Sequence, residues 1–198
     1  MNAAGIATRP TRRAGRLQTI VVIAVTVLVI GVLTYLVSGA GAADGLTKID
    51  LGAGAAAAAP AVGAVPPNFT AVTWDGKTVH LSDYAGKPVW LTFGASWCPD
   101  CRTESADVEA TYRKYRDQGL VVLAVFIQET AADVGGYAGR AGLTFPIAVD
   151  QNAVVAGAYR TMGIPTHFFI GSDGTIREMR IGALSKDDMD RAVAVLLH

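Results

Sequence analysis

The chain has 198 residues, which is long enough for one domain with a sizeable core. Its 17 lysine and arginine residues balance its 17 aspartate and glutamate residues, and the part from residue 66 onward is mildly acidic. The sequence contains no basic stripe, and this argues against nucleic acid as a partner.

The N-terminal part of the sequence predicts a membrane anchor. Residues 1–16 carry four arginines and precede an uncharged apolar run, Leu17–Val37. As a helix, this run is long enough to cross the roughly 30 Å hydrocarbon core of a bilayer. By the positive-inside rule, residues 1–16 lie in the cytoplasm and the chain after Ser38 lies outside it. We therefore predict a single-pass cell-membrane protein whose transmembrane helix contacts the lipid bilayer.

A cleaved signal peptide is the alternative interpretation of the same segment. Small residues at positions 38–43 offer a cleavage site for a peptidase. The apolar run is longer than the usual core of a signal peptide, which favours a retained signal anchor. Both interpretations place the rest of the chain in the same extracytoplasmic compartment.

Residues 38–65 predict a linker. They are rich in alanine, glycine and proline and show neither alternation nor amphipathic spacing. The alanine run has no large apolar side chains to bury, and glycine and proline flank it. We interpret this segment as a tether for a globular head that spans residues 66–198.

The head alternates predicted strands with predicted helices. Asp75-Gly76 lies between two β-prone segments and predicts a hairpin. Buried strands are expected at 88–95, 120–128 and 145–150, helices at 98–118, 130–141 and 152–160, and a second hairpin with a final helix over 166–198. This order predicts an α/β fold with a mixed central sheet and helices on both faces.

The only two cysteines, Cys98 and Cys101, lie in the motif WCPDC at the start of a predicted helix. Residues i and i+3 share a helix face, so the pair can close a small disulfide ring or lie side by side as thiols. Unpaired N–H groups at the helix start stabilise a Cys98 thiolate, and Pro99 is favoured at the first helical position. Cys98 is therefore the expected nucleophile, and Cys101 is expected to be more buried and less reactive.

Two other roles for the cysteine pair are less well supported. A disulfide across so short a loop removes little chain entropy, which disfavours a purely structural crosslink. A closed zinc site needs four ligands, and His80, His167 and His198 form no second paired motif. We predict no metal site, and no cofactor apart from a redox-active disulfide.

Three segments resemble a known family. PVWLTFGASWCPDCRTE, the Asp75-Gly76 hairpin before it and MGIPTHFFIGSDGTI after it resemble the thioredoxin-like, membrane-anchored thiol-disulfide oxidoreductases of the TlpA/ResA type. The resemblance covers essentially the whole head and extends to the N-terminal anchor. It implies a thioredoxin-like fold and a redox-active disulfide between the two cysteines.

The resemblance also implies roles for individual residues. Cys98 would attack a disulfide of the partner, and Cys101 would resolve the mixed disulfide. Glu104 would exchange a proton with the resolving thiol, although it could instead only stabilise the first helical turn. The substrate-binding positions would be Trp97, Ile164, Pro165 and Thr166, with a cis bond between Ile164 and Pro165.

Pro99 and Asp100 lie between the cysteines and are expected to tune their redox potential. Asp100 stands where proline is common in relatives, and Gly94 where tryptophan is common. A carboxylate at position 100 opposes the Cys98 thiolate, which favours a reducing couple unless the side chain points into solvent. We therefore expect a reductase, with a disulfide donor as the alternative.

The resemblance suggests partners for such a reductase. Its substrates would be protein thiols and disulfides, with apocytochrome c, and hence cytochrome c maturation, as one candidate. Its electrons would come from a membrane thiol transporter of the CcdA/DsbD type.

Two other classes that share the thioredoxin fold fit the sequence less well. Sco-type copper carriers use two cysteines and a histidine, for which His167 is the candidate, but their cysteine spacing is one residue longer. Peroxiredoxins have the pattern P-x-x-x-T-x-x-C, which would need proline at Leu91 and threonine at Ala95. We keep copper handling as the alternative function.

Overall fold

The computed structural model describes residues 12–39, 48–50 and 59–197. These residues belong to two compact units, one containing helix α1 (Arg12–Gly39) and the other containing all remaining elements. The predictions for residues 1–11, for most of the linker and for His198 lie outside the described residues.

Helix α1 contains the whole of the predicted membrane span, Leu17–Val37. The structure describes the side chains of residues 18–34 of this helix, and all of them are exposed. The side chains at the two ends of the predicted span, residues 17 and 35–37, lie outside the described range. Among the helices as described, none is sufficiently long and apolar to cross a membrane.

The second unit contains a small antiparallel sheet. It consists of β1 (Lys48–Asp50), β2 (Asn68–Val72) and β3 (Thr78–His80), in the order β1-β2-β3. The predicted hairpin between β2 and β3 is confirmed, and Gly76 supplies a φ of 84° in its turn. Strand β1 was not predicted, because three residues with one apolar side chain show no strand pattern.

A five-stranded sheet forms the centre of the head. Its strands are β4 (Val89–Gly94), β5 (Val121–Ile127), β6 (Ile147–Asp150), β7 (Thr166–Ile170) and β8 (Ile176–Ile181). The order is β6-β5-β4-β7-β8, with parallel pairing from β6 to β4 and antiparallel pairing from β4 to β8. The predicted mixed sheet is therefore confirmed.

Four helices accompany this sheet. They are α2 (Pro99–Tyr115), α3 (Ala131–Ala141), α4 (Val154–Ala158) and α5 (Lys186–Leu196). The hydroxyl groups of Thr130 and Ser185 accept backbone N–H groups at the starts of α3 and α5. A 3₁₀ turn after α2 ends at Gly119, whose φ is 97°.

The side chains of the sheet divide between two cores. Alternate residues of β4, such as Trp90, pack beneath α2, α3 and α5, together with Val108 and Met189. The intervening residues, such as Phe93, pack beneath β2, β3 and α4. Helices therefore cover both faces, as predicted, and α2 lies on the face that carries Trp90.

The head is attached to the chain before residue 66. Gly63 N–H donates to the carbonyl oxygen of Ile176 at 2.8 Å, and Ile176 N–H donates to that of Ala64 at 2.9 Å. Pro60 and Pro66 are buried. The last part of the segment interpreted as linker therefore lies against the start of β8.

Candidate active site

Strand pairing brings the two sequence motifs of the head to one edge of the sheet. Strand β4 ends at Gly94, and the chain continues directly into the WCPDC motif. Strand β7 begins at Thr166 and runs antiparallel to β4, with Phe93 paired to Thr166. The carboxyl end of β4 and the amino end of β7 therefore coincide, and residues 164 and 165 lie beside the cysteines.

Cys98 and Cys101 form a disulfide whose Cα atoms are 5.3 Å apart. Cys98 is the N-cap of α2, and its sulfur accepts the Cys101 N–H at 3.2 Å. Pro99 occupies the first helical position, as predicted. Both cysteines are buried, with 4% and 7% of their surfaces exposed.

The predicted cis bond between Ile164 and Pro165 is confirmed. Cys98 Sγ lies 3.8 Å from the Ile164 carbonyl oxygen, and the Ile164 side chain packs against both cysteines and Ala95. Thr166 is buried, and its hydroxyl donates to the Gly163 carbonyl oxygen at 2.6 Å. Thr166 therefore holds the loop through its side chain.

Trp97 and Asp100 lie on the outside of the site. Trp97 has 53% of its surface exposed beside the buried Cys98. Asp100 is exposed in the first turn of α2, where a negative charge favours the helix dipole. Solvent around Asp100 weakens its repulsion of a Cys98 thiolate, so its tuning role stays a prediction.

Glu104 is buried, with 5% of its surface exposed. Its Oε2 accepts the Leu184 N–H at 2.9 Å, and its Oε1 lies 3.5 Å from His167 Nε2. It also lines a cavity of about 20 Å³ together with Cys101 and Gly94. Glu104 therefore joins α2 to the segment before α5 and lines the same cavity as Cys101, instead of only supporting the first helical turn.

His167 lies completely within the core. Its Nδ1 accepts the indole N–H of Trp90 at 3.3 Å and lies 3.0 Å from the Thr92 hydroxyl. No group of three or more metal-binding side chains converges within the ranges that the structure describes. The ring is thus engaged by β4 and by Glu104, and copper binding would require it to leave both.

A second buried carboxylate, Glu129, fixes the loop before the cysteines and was not predicted from the sequence. It accepts the Ser96 N–H at 2.8 Å and also the Ser96 hydroxyl. Glu129 follows β5 and Ser96 follows β4, and these strands are parallel neighbours. Their common carboxyl edge was the available signal, since residues that follow adjacent parallel strands lie close together.

Two open grooves meet at Ser96, one on each side of the active-site loop. The first, of about 600 Å³, carries Arg102 and Arg140. The second, of about 680 Å³, carries Glu129 and Asp133 beside Trp97. The active-site loop therefore borders one groove that carries two arginines and one that carries two carboxylates.

Comparisons with known proteins agree with this architecture. A model described as the AhpC/TSA family matches residues 62–179. A thiol-disulfide oxidoreductase ResA of Geobacillus kaustophilus is 38% identical over 67% of this chain and 76% of the relative. A second ResA, from Bacillus anthracis, is 33% identical over 65% of this chain and 75% of the relative.

One solved structure shows the same fold at low sequence identity. It is a thiol:disulfide interchange protein, described as a thioredoxin family protein, from Chlorobium tepidum TLS. It matches with a TM-score of 0.63 and 28% identity over 71% of this chain and 99% of the neighbour.

Proposed function

Because this chain belongs to the AhpC/TSA family and is a thioredoxin-like thiol-disulfide oxidoreductase of the ResA/DsbE type, we propose that Cys98 and Cys101 are its reacting residues. In this proposal they exchange dithiol for disulfide with other proteins. The observation that carries it is the pairing of the two cysteines at the start of α2, against the cis Ile164–Pro165 bond.

The proposed exchange has two steps. The Cys98 thiolate attacks a partner disulfide, and a mixed disulfide forms as one partner sulfur leaves as thiolate. Cys101 then gives its proton to the Glu104 carboxylate and attacks Cys98 Sγ, which closes the intramolecular disulfide and releases the second partner sulfur with its electron pair. The head loses two electrons and the partner disulfide becomes a dithiol.

The surroundings of the cysteines suit these steps. Backbone N–H groups at the start of α2 stabilise negative charge on Cys98. Trp97 offers an exposed aromatic surface for a peptide beside the partly exposed Ile164, and the two grooves that meet at Ser96 extend this surface. We propose that protein substrates dock there, with apocytochrome c as a candidate.

The proposed direction is reduction, in an extracytoplasmic compartment and from a membrane anchor. The arginine-flanked run Leu17–Val37 supports the anchor and the orientation. A reductase in an oxidising compartment needs a supply of electrons, and a membrane thiol transporter of the CcdA/DsbD type is the proposed donor.

Variants of the full chain test the proposed exchange. Cys101→Ser should accumulate a mixed disulfide with a peptide disulfide, and Cys98→Ser should form none, as measured by mass spectrometry. Equal trapping by both variants would contradict the assignment of Cys98 as the attacking residue.

The reduction potential tests the proposed direction. Equilibration of the full chain with thiol redox buffers should give a value at or below about −250 mV, toward the thioredoxin end of the scale. A value near about −120 mV would instead identify a disulfide donor. Asp100→Asn should raise the potential if the carboxylate opposes the thiolate, whereas an unchanged value removes that argument.

A further inference from the structure

His167 places an imidazole in the core beside α2, the redox helix, which begins at the cysteine motif. Its Nε2 is buried and has no hydrogen-bond partner among the described residues. A buried polar atom without a partner is costly, so such a group in a native core calls for an explanation.

The contacts of the other ring nitrogen determine where the proton of the ring resides. The indole N–H of Trp90 can only donate, and it points at Nδ1 from 3.3 Å. Nδ1 must therefore offer its lone pair, so the proton of a neutral ring sits on Nε2. Thr92 lies on the same side, 3.0 Å from Nδ1, and its hydroxyl can also donate there.

The Nε2–H group faces the Glu104 carboxylate. Nε2 lies 3.5 Å from Glu104 Oε1, which is longer than the usual N–H···O distance of about 2.9 to 3.0 Å. The other carboxylate oxygen already accepts the Leu184 N–H at 2.9 Å. Catalytic hydrogen bonds are often long in the resting state and shorten during the reaction.

Glu104 in turn shares a small cavity with Cys101. The cavity measures about 20 Å³, and roughly 10 to 15 Å³ is enough for one water molecule. The cavity therefore has room for one water that would carry a proton from the Cys101 thiol to the Glu104 carboxylate. Trp90, His167 and Glu104 therefore form a line of neighbouring groups that ends at this cavity, with the long Nε2–Oε1 separation as its widest step.

We propose that His167 is a positioning residue that acts on Cys101 through Glu104. Its Nε2–H directs the carboxylate so that it accepts the proton of Cys101 in the resolving step. This inference deepens the proposed function and rests on it.

Oxidised glutathione separates the two steps that the proposal distinguishes. The Cys98 thiolate attacks one glutathione sulfur, so that a Cys98–glutathione disulfide forms and one glutathione thiolate leaves. Cys101 then loses its proton to Glu104 and attacks Cys98 Sγ, and the second glutathione thiolate leaves with its electron pair. Quenched samples of the reduced full chain give both rates by mass spectrometry.

His167→Leu removes the donor and should slow the second step by about tenfold, the scale expected when a hydrogen bond to a charged group is lost. The first step should keep its rate, so the glutathionylated intermediate accumulates. His167→Gln retains an N–H donor and is the matched control, with a second step within about twofold of the wild type. A wild-type second step in His167→Leu overturns the proposal.

The double variant Glu104→Gln/His167→Leu tests whether His167 acts through Glu104. Its second step should be no slower than that of Glu104→Gln alone, because the group that His167 holds has already been changed. Effects that multiply in the double variant contradict the proposed route.

Nitrogen NMR of the His167 ring gives a readout that does not depend on exchange or on any variant. The oxidised wild-type chain should show a protonated Nε2 and an unprotonated Nδ1. The opposite tautomer overturns the proposal even if His167→Leu fails to fold. If instead the wild type does not react with any disulfide, the proposed function itself fails, a result distinct from an unaffected His167→Leu.

Discussion

On one face of the central sheet, beneath α2, α3 and α5, Glu104 and His167 are buried between the redox helix and β7. On the opposite face, beneath β2, β3 and α4, the core is formed by side chains such as Leu91, Phe93 and Phe168. Both faces belong to the same strands and differ by one residue in the alternation. The difference teaches that one face of a sheet can be filled by apolar packing while the other keeps buried polar groups whose hydrogen bonds are incomplete.

The largest expected effect on stability comes from two neighbouring residues of β7, Phe168 and Phe169, whose side chains lie on opposite faces of the sheet. Phe168→Ala and Phe169→Ala each empty a fully buried site and should each cost about 3 to 5 kcal/mol of unfolding free energy. The ring centroid of Phe169 lies 5.2 Å from that of Trp90 and 6.4 Å from that of His167. Only Phe169→Ala should therefore also slow the resolving step. Urea unfolding and glutathione kinetics on the folded fraction measure both quantities. Equal kinetic effects of the two variants would break the comparison between the faces.

Glu109 lies on the same helix as Glu104 and contrasts with it, because both of its carboxylate oxygens accept hydrogen bonds. It accepts the Thr144 N–H at 2.8 Å, the Thr144 hydroxyl at 2.6 Å and Arg113 Nε at 2.5 Å. Glu109→Gln should therefore lower the free energy of unfolding by about 2 kcal/mol at pH 7 and leave both exchange steps unchanged. A slower resolving step in this variant would show that any carboxylate of α2 affects the cysteines.

The pH dependence of the same variant has a definite sign. Burial tends to raise the pKa of Glu109, but the hydrogen bonds from Thr144 and Arg113 outweigh it and hold the pKa below its usual value. A lowered folded-state pKa contributes stability that is present above the unfolded value of about 4.3 and is lost as the pH falls through the folded value. The stability difference between wild type and Glu109→Gln should therefore shrink below about pH 4.

Tyr159 provides the matching test on the opposite face, beneath β2, β3 and α4. Its buried hydroxyl donates to the Pro67 carbonyl oxygen at 2.7 Å, so Tyr159→Phe should cost about 1 kcal/mol. Burial raises the pKa of Tyr159, and the unfolded chain ionises first, above about pH 10. The wild type should therefore lose stability above this pH relative to the variant. Identical alkaline unfolding curves for the two proteins would contradict the assignment.

The smallest expected effect concerns Gly94, beside the cysteines. A Cβ at this position would lie 3.5 Å from Cys101 Sγ and 3.5 Å from Phe126 Cε1, which are ordinary contacts. Gly94→Ala should change the unfolding free energy by less than about 1 kcal/mol. Gly135→Ala is the control, because its Cβ would lie 2.6 Å from the Trp74 ring. A large loss in Gly94→Ala would show that the cavity beside Cys101 cannot accept a methyl group.

The elements of the head could be predicted from the sequence because their local signals agree. The buried runs became β4 and β5, Pro99 and Gly119 bracket the redox helix and its 3₁₀ extension, and Ser185 caps α5. The cis bond before Pro165 came from the family resemblance. Strand β1 and the contacts of residues 63 and 64 had no such signal, since their pairing depends on distant partners.

The candidate site was predicted only in part. The spacing of Cys98, Cys101 and Glu104 correctly placed them on one helix. The sequence offered His167 as the candidate histidine of a copper site with the two cysteines, whereas its ring lies between Trp90 and Glu104. That position depends on the register of β7 against β4, which pairs His167 with Thr92, and on the face that this register selects. Residue spacing along one chain does not contain this information.

The bonds between residues 63–64 and the start of β8 also have a mechanical consequence. A pull applied at residue 59, after β1, loads the bond from Gly63 N–H and the bond to the Ala64 carbonyl oxygen before any other described bond to the central sheet. These two hydrogen bonds to the edge strand β8 would break first under load. Force would then reach Tyr159 and its bond to Pro67 before it reached the strands beside the cysteines.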